Sequence, residues 1–319
     1  GGGAQTINDG QDAYGLTCTT GGGIPDIENH EGQDPVLFLW RRLIPNSGGP
    51  GQMRGGQSME QAYAIYYGDG MAGPCFNACA KVPPHGVGGG YPGSGGSFHP
   101  VRESNVANLI DENVLPTIDR LDGTAEKVRS KLTHIKLAPG DVFVAVSGGG
   151  AGLGDPLLRD SQKVVNDIVS GYITPGHARA IYGVSLNGDN TLDEAATAKQ
   201  REEIRHQRIG GSPKAELKAP PIIGVSLTRE DGRWSCASCD ERLAEGDGNW
   251  RDGAVTRETE ITERYEELEM KVRERLQAPY VVTREHFCPS CAASLAVDIA
   301  TDDLEQLPSA QPLGAGVAA

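Results

Sequence analysis

Two pairs of cysteines, Cys236-x-x-Cys239 and Cys288-x-x-Cys291, constrain the C-terminal third of this 319-residue chain more than any other feature. Two residues between cysteines let one tight turn aim both sulfurs at one ion, and two such turns complete a tetrahedron around Zn²⁺. The 48 residues between the pairs exceed ordinary finger spacing and require an insertion. The stretch Thr259–Leu276 supplies one. Ile261, Tyr265, Leu268, Val272 and Leu276 recur at helical spacing, with Glu267–Lys271 and Glu269–Arg273 as i,i+4 pairs, and predict a helix over that span. Trp234 and Phe287, next to the knuckles, are candidates for the apolar shell. Asp240 and His286 are spare ligands, but four thiolates close the site and leave no open position for chemistry. The metal is therefore read as structural zinc. Cys18, Cys75 and Cys79 lack such spacing and read as small apolar residues in packed loops.

The chain is long enough for roughly two domains. Its 44 glycines and 38% apolar content point to much loop for the amount of core. A formal charge of −14 argues against nucleic acid and anionic membranes as partners, because both are bound through basic surfaces. No apolar run approaches the roughly 18 residues that a spanning helix needs. Paired cysteines without a disulfide framework fit a reducing compartment, and the chain is read as cytoplasmic.

Strand-like runs occur at Val36–Trp40, Ala62–Tyr67 and Val142–Val146, each bounded by turn residues. A helix capped near Asp160 or Ser161 carries Val164, Val165, Ile168 and Val169 on one face, and another crosses Leu192 to Arg208. Residues 210–221, rich in Gly and Pro, read as a linker, and Ile222 to Thr228 as a further strand. The expected architecture is α+β: a strand-rich mixed domain over 1–209, that linker, a zinc-ribbon-like module over 222–308 with an inserted helix, and a disordered tail over 309–319.

Four glycine-bearing segments follow one another in order. They are Pro45-Asn46-Ser47-Gly48-Gly49-Pro50-Gly51-Gln52-Met53-Arg54-Gly55-Gly56, then Pro83-Pro84-His85-Gly86-Val87-Gly88-Gly89-Gly90-Tyr91-Pro92-Gly93. Next come Leu137-Ala138-Pro139-Gly140-Asp141, one strand before Ser147-Gly148-Gly149-Gly150-Ala151-Gly152-Leu153-Gly154-Asp155-Pro156-Leu157, and finally Gly171-Tyr172-Ile173-Thr174-Pro175 through to Tyr182-Gly183-Val184. In this order, over residues 30 to 208, they resemble the C-terminal half of the hydantoinase B family, which includes subunits of acetone and acetophenone carboxylases. The cysteine-rich end is similar to the small zinc-containing subunit of acetone carboxylase, here fused to the same chain. That fusion favours ketone carboxylation over cyclic amide hydrolysis by a hydantoinase or oxoprolinase. A non-catalytic scaffold is the reading from a different class.

The resemblance implies a subunit of an ATP-dependent, biotin-independent ligase that joins a ketone, with an aromatic one such as acetophenone as a candidate, to bicarbonate as a 3-oxo acid. Its partners would be a hydantoinase A-like ATPase and a separate hydantoinase B-like N-terminal half. ATP and a divalent catalytic metal would belong to those partners, and this chain would be inactive alone. No GxxxxGK[ST] motif occurs for nucleotide binding. Within that frame the glycine-rich turns either aim backbone N–H groups at a phosphate or carboxylate, or simply make left-handed turns. Arg54, between Gly51 and Gly55, is a candidate anion clamp, and His85 is the candidate for acid–base or metal work. His30 with Glu31 is a candidate ligand pair, and Asp155 reads as a helix-entry residue.

Overall fold

The computed structural model describes residues 1–14, 26–77, 79–126, 128–272 and 278–304. The expected disordered tail and Cys18 lie outside them. A short helix α1 (Ile27–Gln33) leads into β1 (Val36–Leu43), β2 (Met59–Ile65), β3 (Met71–Phe76) and β4 (Ser97–Arg102). Helix α2 (Val106–Asp111), β5 (Thr124–Ala125), β6 (Lys131–Leu137) and β7 (Val142–Val146) follow.

These strands form an antiparallel five-stranded sheet in the order β1-β2-β7-β4-β5, with β3 and β6 paired separately. The apolar run Val142–Val146 is central because both of its faces are covered, which suits an uninterrupted β-branched and aromatic stretch. On one face Phe143 stacks between Tyr63 and Phe98, at ring separations of 5.5 and 5.4 Å, and packs toward Ile135 and Leu137 of β6. On the other, Val142 and Val144 meet Ala62, Ala64 and Val106 at the start of α2.

Three helices come next: α3 (Ser161–Val169), α4 (Pro175–Tyr182) and α5 (Glu194–Ile209). Their starts are written in the sequence. The Asp160 carboxylate accepts from the N–H groups of Gln162 and Lys163, Thr174 Oγ1 from His177, and Asp193 from Ala196. Gly183 and Gly210 close α4 and α5 in the left-handed conformation.

The C-terminal part holds two three-stranded antiparallel sheets. One orders β10 (Arg242–Glu245), β9 (Arg233–Cys236) and β8 (Leu227–Glu230); the other orders β11 (Val255–Glu260), β12 (Val281–Phe287) and β13 (Ser294–Thr301). The strand expected at Ile222–Thr228 therefore begins five residues later. The helix expected over Thr259–Leu276 is also corrected: α6 spans only Ile261–Glu267. Thr259 and Glu260 are drawn into pairing with Thr283 and Val282, and the Glu260 carboxylate caps the helix at Thr262 and Glu263. Just past its C-cap Leu268 the chain turns at Glu269, whose φ is +52° and whose carboxylate is gripped by Thr174 Oγ1 and Asn46 Nδ2. Tertiary partners thus override helical periodicity, although Ile261, Tyr265 and Leu268 keep their shared buried face. Leu276 lies outside the described residues.

One apolar core spans both parts of the chain. Val164, Ile173, Ile181 and Tyr182 from the helices pack with Ile261, Tyr265, Leu268, Val281 and Val297. Each such side chain, when fully buried, contributes about 1.5–3 kcal/mol. Residues 210–221 are strapped down as well. Lys214 and Ala215 N–H groups donate to Ser290 O, Arg205 donates to Ala215 O, and Lys218 exchanges two hydrogen bonds with Ser238.

Candidate metal centre and glycine-loop cluster

Cys236, Cys239, Cys288 and Cys291 come together with their sulfurs all within 4.8 Å of one another. The Cys236–Cys291 and Cys239–Cys288 separations are 3.8 and 3.6 Å. A tetrahedron with Zn–S bonds of about 2.3 Å has edges of about 3.8 Å, so these sulfurs already outline the coordination shell of Zn²⁺.

The two knuckles are built alike. The Cys236 N–H donates to Glu241 O, and the Cys288 N–H to Ala293 O, each five residues ahead. The residue after each second cysteine, Asp240 or Ala292, is left-handed at φ +61° and +60°. Leu243, Trp250, Ala293 and Leu295 enclose the sulfurs, with Trp234 packed at the edge. Phe287 is fully buried beneath the guanidinium groups of Arg208 and Arg257. Trp250 and Leu243 carried no sequence signal, since neither is adjacent to a cysteine.

The thiols perturb one another strongly. Hydrogen bonding with Cys288 and Cys291 pushes the Cys236 thiol up, and hydrogen bonding to Cys236 and Cys288 holds Cys291 down to about 2. Neither spare ligand reaches the cluster. Asp240 pairs with Arg233 on the surface, and His286 is buried between Thr256, 2.9 Å from its Nδ1, and Asp298, 3.3 Å from its Nε2. With four sulfurs and an apolar shell the arrangement can hold an ion but offers no coordination position to a substrate.

The glycine-rich segments form a second focus, where three loops are laced backbone to backbone. Leu153 exchanges hydrogen bonds with Met53, and Val87 donates to Gly152 O while Gly154 donates back to Val87 O. Gly49 donates to Gly150, Gly149 to Ser94, and Gly152 to Tyr91. Gly149 and Gly152 serve close approach, since a Cβ on Gly149 would lie 1.8 Å from Ser47 O and one on Gly152 2.1 Å from Pro50 O, whereas Gly88, Gly89 and Gly154 make left-handed turns at φ +59°, +87° and +76°. The N–H groups of Gly49, Gly149, Gly150, Gly152 and Gly154 are engaged by neighbouring carbonyls.

Arg54 sits beneath these loops, 3% exposed. Its Nη1 donates to Gly55 O, its guanidinium lies 4.7 Å over the Tyr172 ring, and Asp12 and Asp167 are 3.5 and 3.7 Å away. Arg159 beside it grips Asp9 through two 2.7 Å bonds and Asp167 through one of 2.8 Å. Burial opposes the charged form of Asp9, but its hydrogen bonds to Arg159 prevail and lower its pKa; at Asp167 burial prevails and raises it. His85 is on an exposed loop. His30 and Glu31 lie in α1, where Glu31 accepts from the Phe38 N–H and the His30 ring faces Phe38. Cys75 is buried in β3 and Cys79 is exposed.

Asp155 joins the two foci. It caps the turn at Leu157, as a helix-entry residue should, and also pairs with Arg208 of α5 and accepts from Ser294 N–H beyond the second knuckle.

Residues 1–156 match the hydantoinase B/oxoprolinase family, and residues 221–304 match the acetone carboxylase gamma subunit family. The chain joins a hydantoinase B/oxoprolinase domain to an acetone carboxylase gamma-type module. The hydantoinase B part carries the laced loops, and the gamma-type module carries the cysteines. Acetone carboxylase alpha subunit from Xanthobacter autotrophicus is 29% identical over 230 residues, covering 66% of this chain and 29% of that protein. Caprolactamase subunit beta from Pseudomonas jessenii is 32% identical, covering 63% and 32%. Acetophenone carboxylase delta subunit from Aromatoleum aromaticum is 26% identical, covering 79% and 37%. A solved nucleotide-free structure of acetone carboxylase superposes with a TM-score of 0.51 at 27% identity, covering 65% of this chain and 29% of that one. The chain spans roughly a third of the length of these relatives.

Proposed function

We propose that this chain is a subunit of a cytoplasmic, ATP-dependent, biotin-independent ketone carboxylase, joining a ketone to bicarbonate to give a 3-oxo acid. The observation that carries this reading is the fusion itself. A gamma-type module, named for acetone carboxylase, is packed into the same core as a hydantoinase B part whose relatives include acetone and acetophenone carboxylase subunits. The partners include a hydantoinase A-like ATPase; ATP and a divalent catalytic metal are bound outside the residues of this chain. Among the described residues no helix is long and apolar enough to cross a membrane.

In this complex the four cysteines hold one structural Zn²⁺. The laced loops form a rigid wall through the backbone hydrogen bonds between them, and the rest of the active site is brought by the partners. Arg54, held under that wall by Tyr172 and Asp167, tunes its charge from below, and His85, exposed at the rim, is the group available for proton transfer.

A second reading, a subunit of a cyclic amide hydrolase, is favoured by the 32% identity to caprolactamase subunit beta. Purified native complex separates the two. Ketone-stimulated ATP hydrolysis that requires bicarbonate and yields a 3-oxo acid is the expected result; bicarbonate-independent turnover of a lactam or hydantoin would replace it with the second reading. The isolated chain is expected to show neither.

A further inference from the structure

We infer that metal ligation at the four cysteines sets the conformation of the glycine-loop cluster, with Asp155 and Arg208 as the positioning residues between them. The inference rests on the reading of that cluster as a zinc site.

The second knuckle presents three backbone groups to the hydantoinase B part. The carbonyls of Cys291 and Ala292 accept from Arg205 and Arg208 of α5, at 3.2 and 3.1 Å, and the Ser294 N–H donates to Asp155 Oδ2 at 2.8 Å. Cys291 and Ala292 lie in the turn that ligation of Cys288 and Cys291 fixes, in which Ala292 is left-handed at φ +60°, and Ser294 opens β13 just beyond it. Ser294 Oγ also donates to Gly89 O at 2.9 Å, in the second glycine-rich loop.

On the other side, the carboxylate that receives Ser294 and Arg208 follows Gly154 directly. Gly154 and Leu153 are where the three loops cross, through Val87 and Met53. The path from sulfur to loop crossing therefore runs through hydrogen bonds between fixed groups, and Asp155 and Arg208 are each 3% exposed. Ligation is the bond that ties Cys288 and Cys291 to the other knuckle, so loss of the ion releases the turn. Asp155 then loses the N–H that orients it, and the crossing loses its anchor. Such a route is established only by a measured coupling between its ends.

Hydrogen exchange on the full-length chain, zinc-loaded and after chelation, supplies that measurement. Exchange of Gly49–Gly56, Val87–Tyr91 and Gly149–Gly154 is expected to speed up at least tenfold on zinc removal, while Val106–Asp111 of α2 stays unchanged. In an Asp155→Asn, Arg208→Gln double variant, which leaves no buried charge unpaired, zinc content is expected to stay at one per chain. With zinc bound, the loops of that variant should already exchange about tenfold faster than in the parent, and chelation should add less than threefold. This comparison holds even where chelation unfolds the parent. Loops equally protected with and without zinc, or a double variant whose zinc-bound loops match the parent, would overturn the inference alone. A chain that binds no zinc would overturn the metal reading and this inference together.

Discussion

Asp155 and Arg208, 53 residues apart in sequence, face each other through hydrogen bonds of 2.7 and 2.9 Å in the interior between the two parts of the chain. Removing one member of such a pair leaves an uncompensated buried charge, which costs about 3–5 kcal/mol. Asp155→Ala should lower stability in urea unfolding by that amount. The Asp155→Asn, Arg208→Gln double variant should lose much less, because no charge is orphaned. Equal losses for the two variants would show that the pair's charge is not what the interior depends on.

Metal analysis of the purified chain should give one Zn²⁺ with four sulfur neighbours at about 2.3 Å by X-ray absorption. Cys239→Ser should release it. Binding in small zinc domains is worth roughly 10–16 kcal/mol apparent near neutral pH, so this variant should also lose thermal stability. Full stability in a metal-free chain would assign the cysteines another purpose.

The laced loops make a prediction about glycine that composition alone does not. Gly149→Ala and Gly152→Ala place a Cβ against Ser47 O and Pro50 O and should destabilise by about 1–3 kcal/mol or more. At Gly188 a Cβ meets nothing within 4 Å, and Gly188→Ala should be neutral or stabilise by about 0.4–1 kcal/mol. Denaturant midpoints of the three variants test the contrast. Three similar values would mean that the loops yield as easily as exposed turns.

Acid should weaken the fold through His177. Burial pushes this fully buried imidazole down to about 4, although its Nδ1 lies 2.5 Å from Leu268 O. The unfolded chain takes up the proton near pH 6.5. Between about 6.5 and 4 only the unfolded state is protonated, so stability is full above that window and falls as pH falls through it, by about 1.4 kcal/mol per pH unit. Urea unfolding across that range should show the slope, and His177→Asn should flatten it. An unchanged slope in the variant would place the acid sensitivity elsewhere.

The sequence made the four-cysteine cluster legible because two-residue spacing within each cysteine pair encodes a turn shape directly. The caps at Asp160, Thr174 and Asp193 and the buried strand Val142–Val146 depend on local chemistry, and local chemistry is what a sequence displays. The misread helix has a distant cause. The periodicity from Ile261 to Leu276 is helical, but pairing with β12 and the grip of Thr174 on Glu269 come from residues far away in the chain. The glycine runs likewise look the same whether they turn the chain or let backbones touch, and only the neighbours decide. The contacts of Arg54 with Asp12, Asp167 and Tyr172 were invisible for the same reason.

The strap over residues 210–221 begins with Gly210, Gly211 and Ser212, which are exposed, before Lys214 meets Ser290. Since the gamma-type module is already held by shared core and by buried hydrogen bonds such as those of Tyr91 to Glu285 and of Ser294 N–H to Asp155, the peptide connection there adds local concentration rather than recognition. A protease cut between Gly211 and Ser212 should therefore leave two polypeptides that migrate together. The same surface would then serve equally as an interface between two polypeptides or as the inside of one chain.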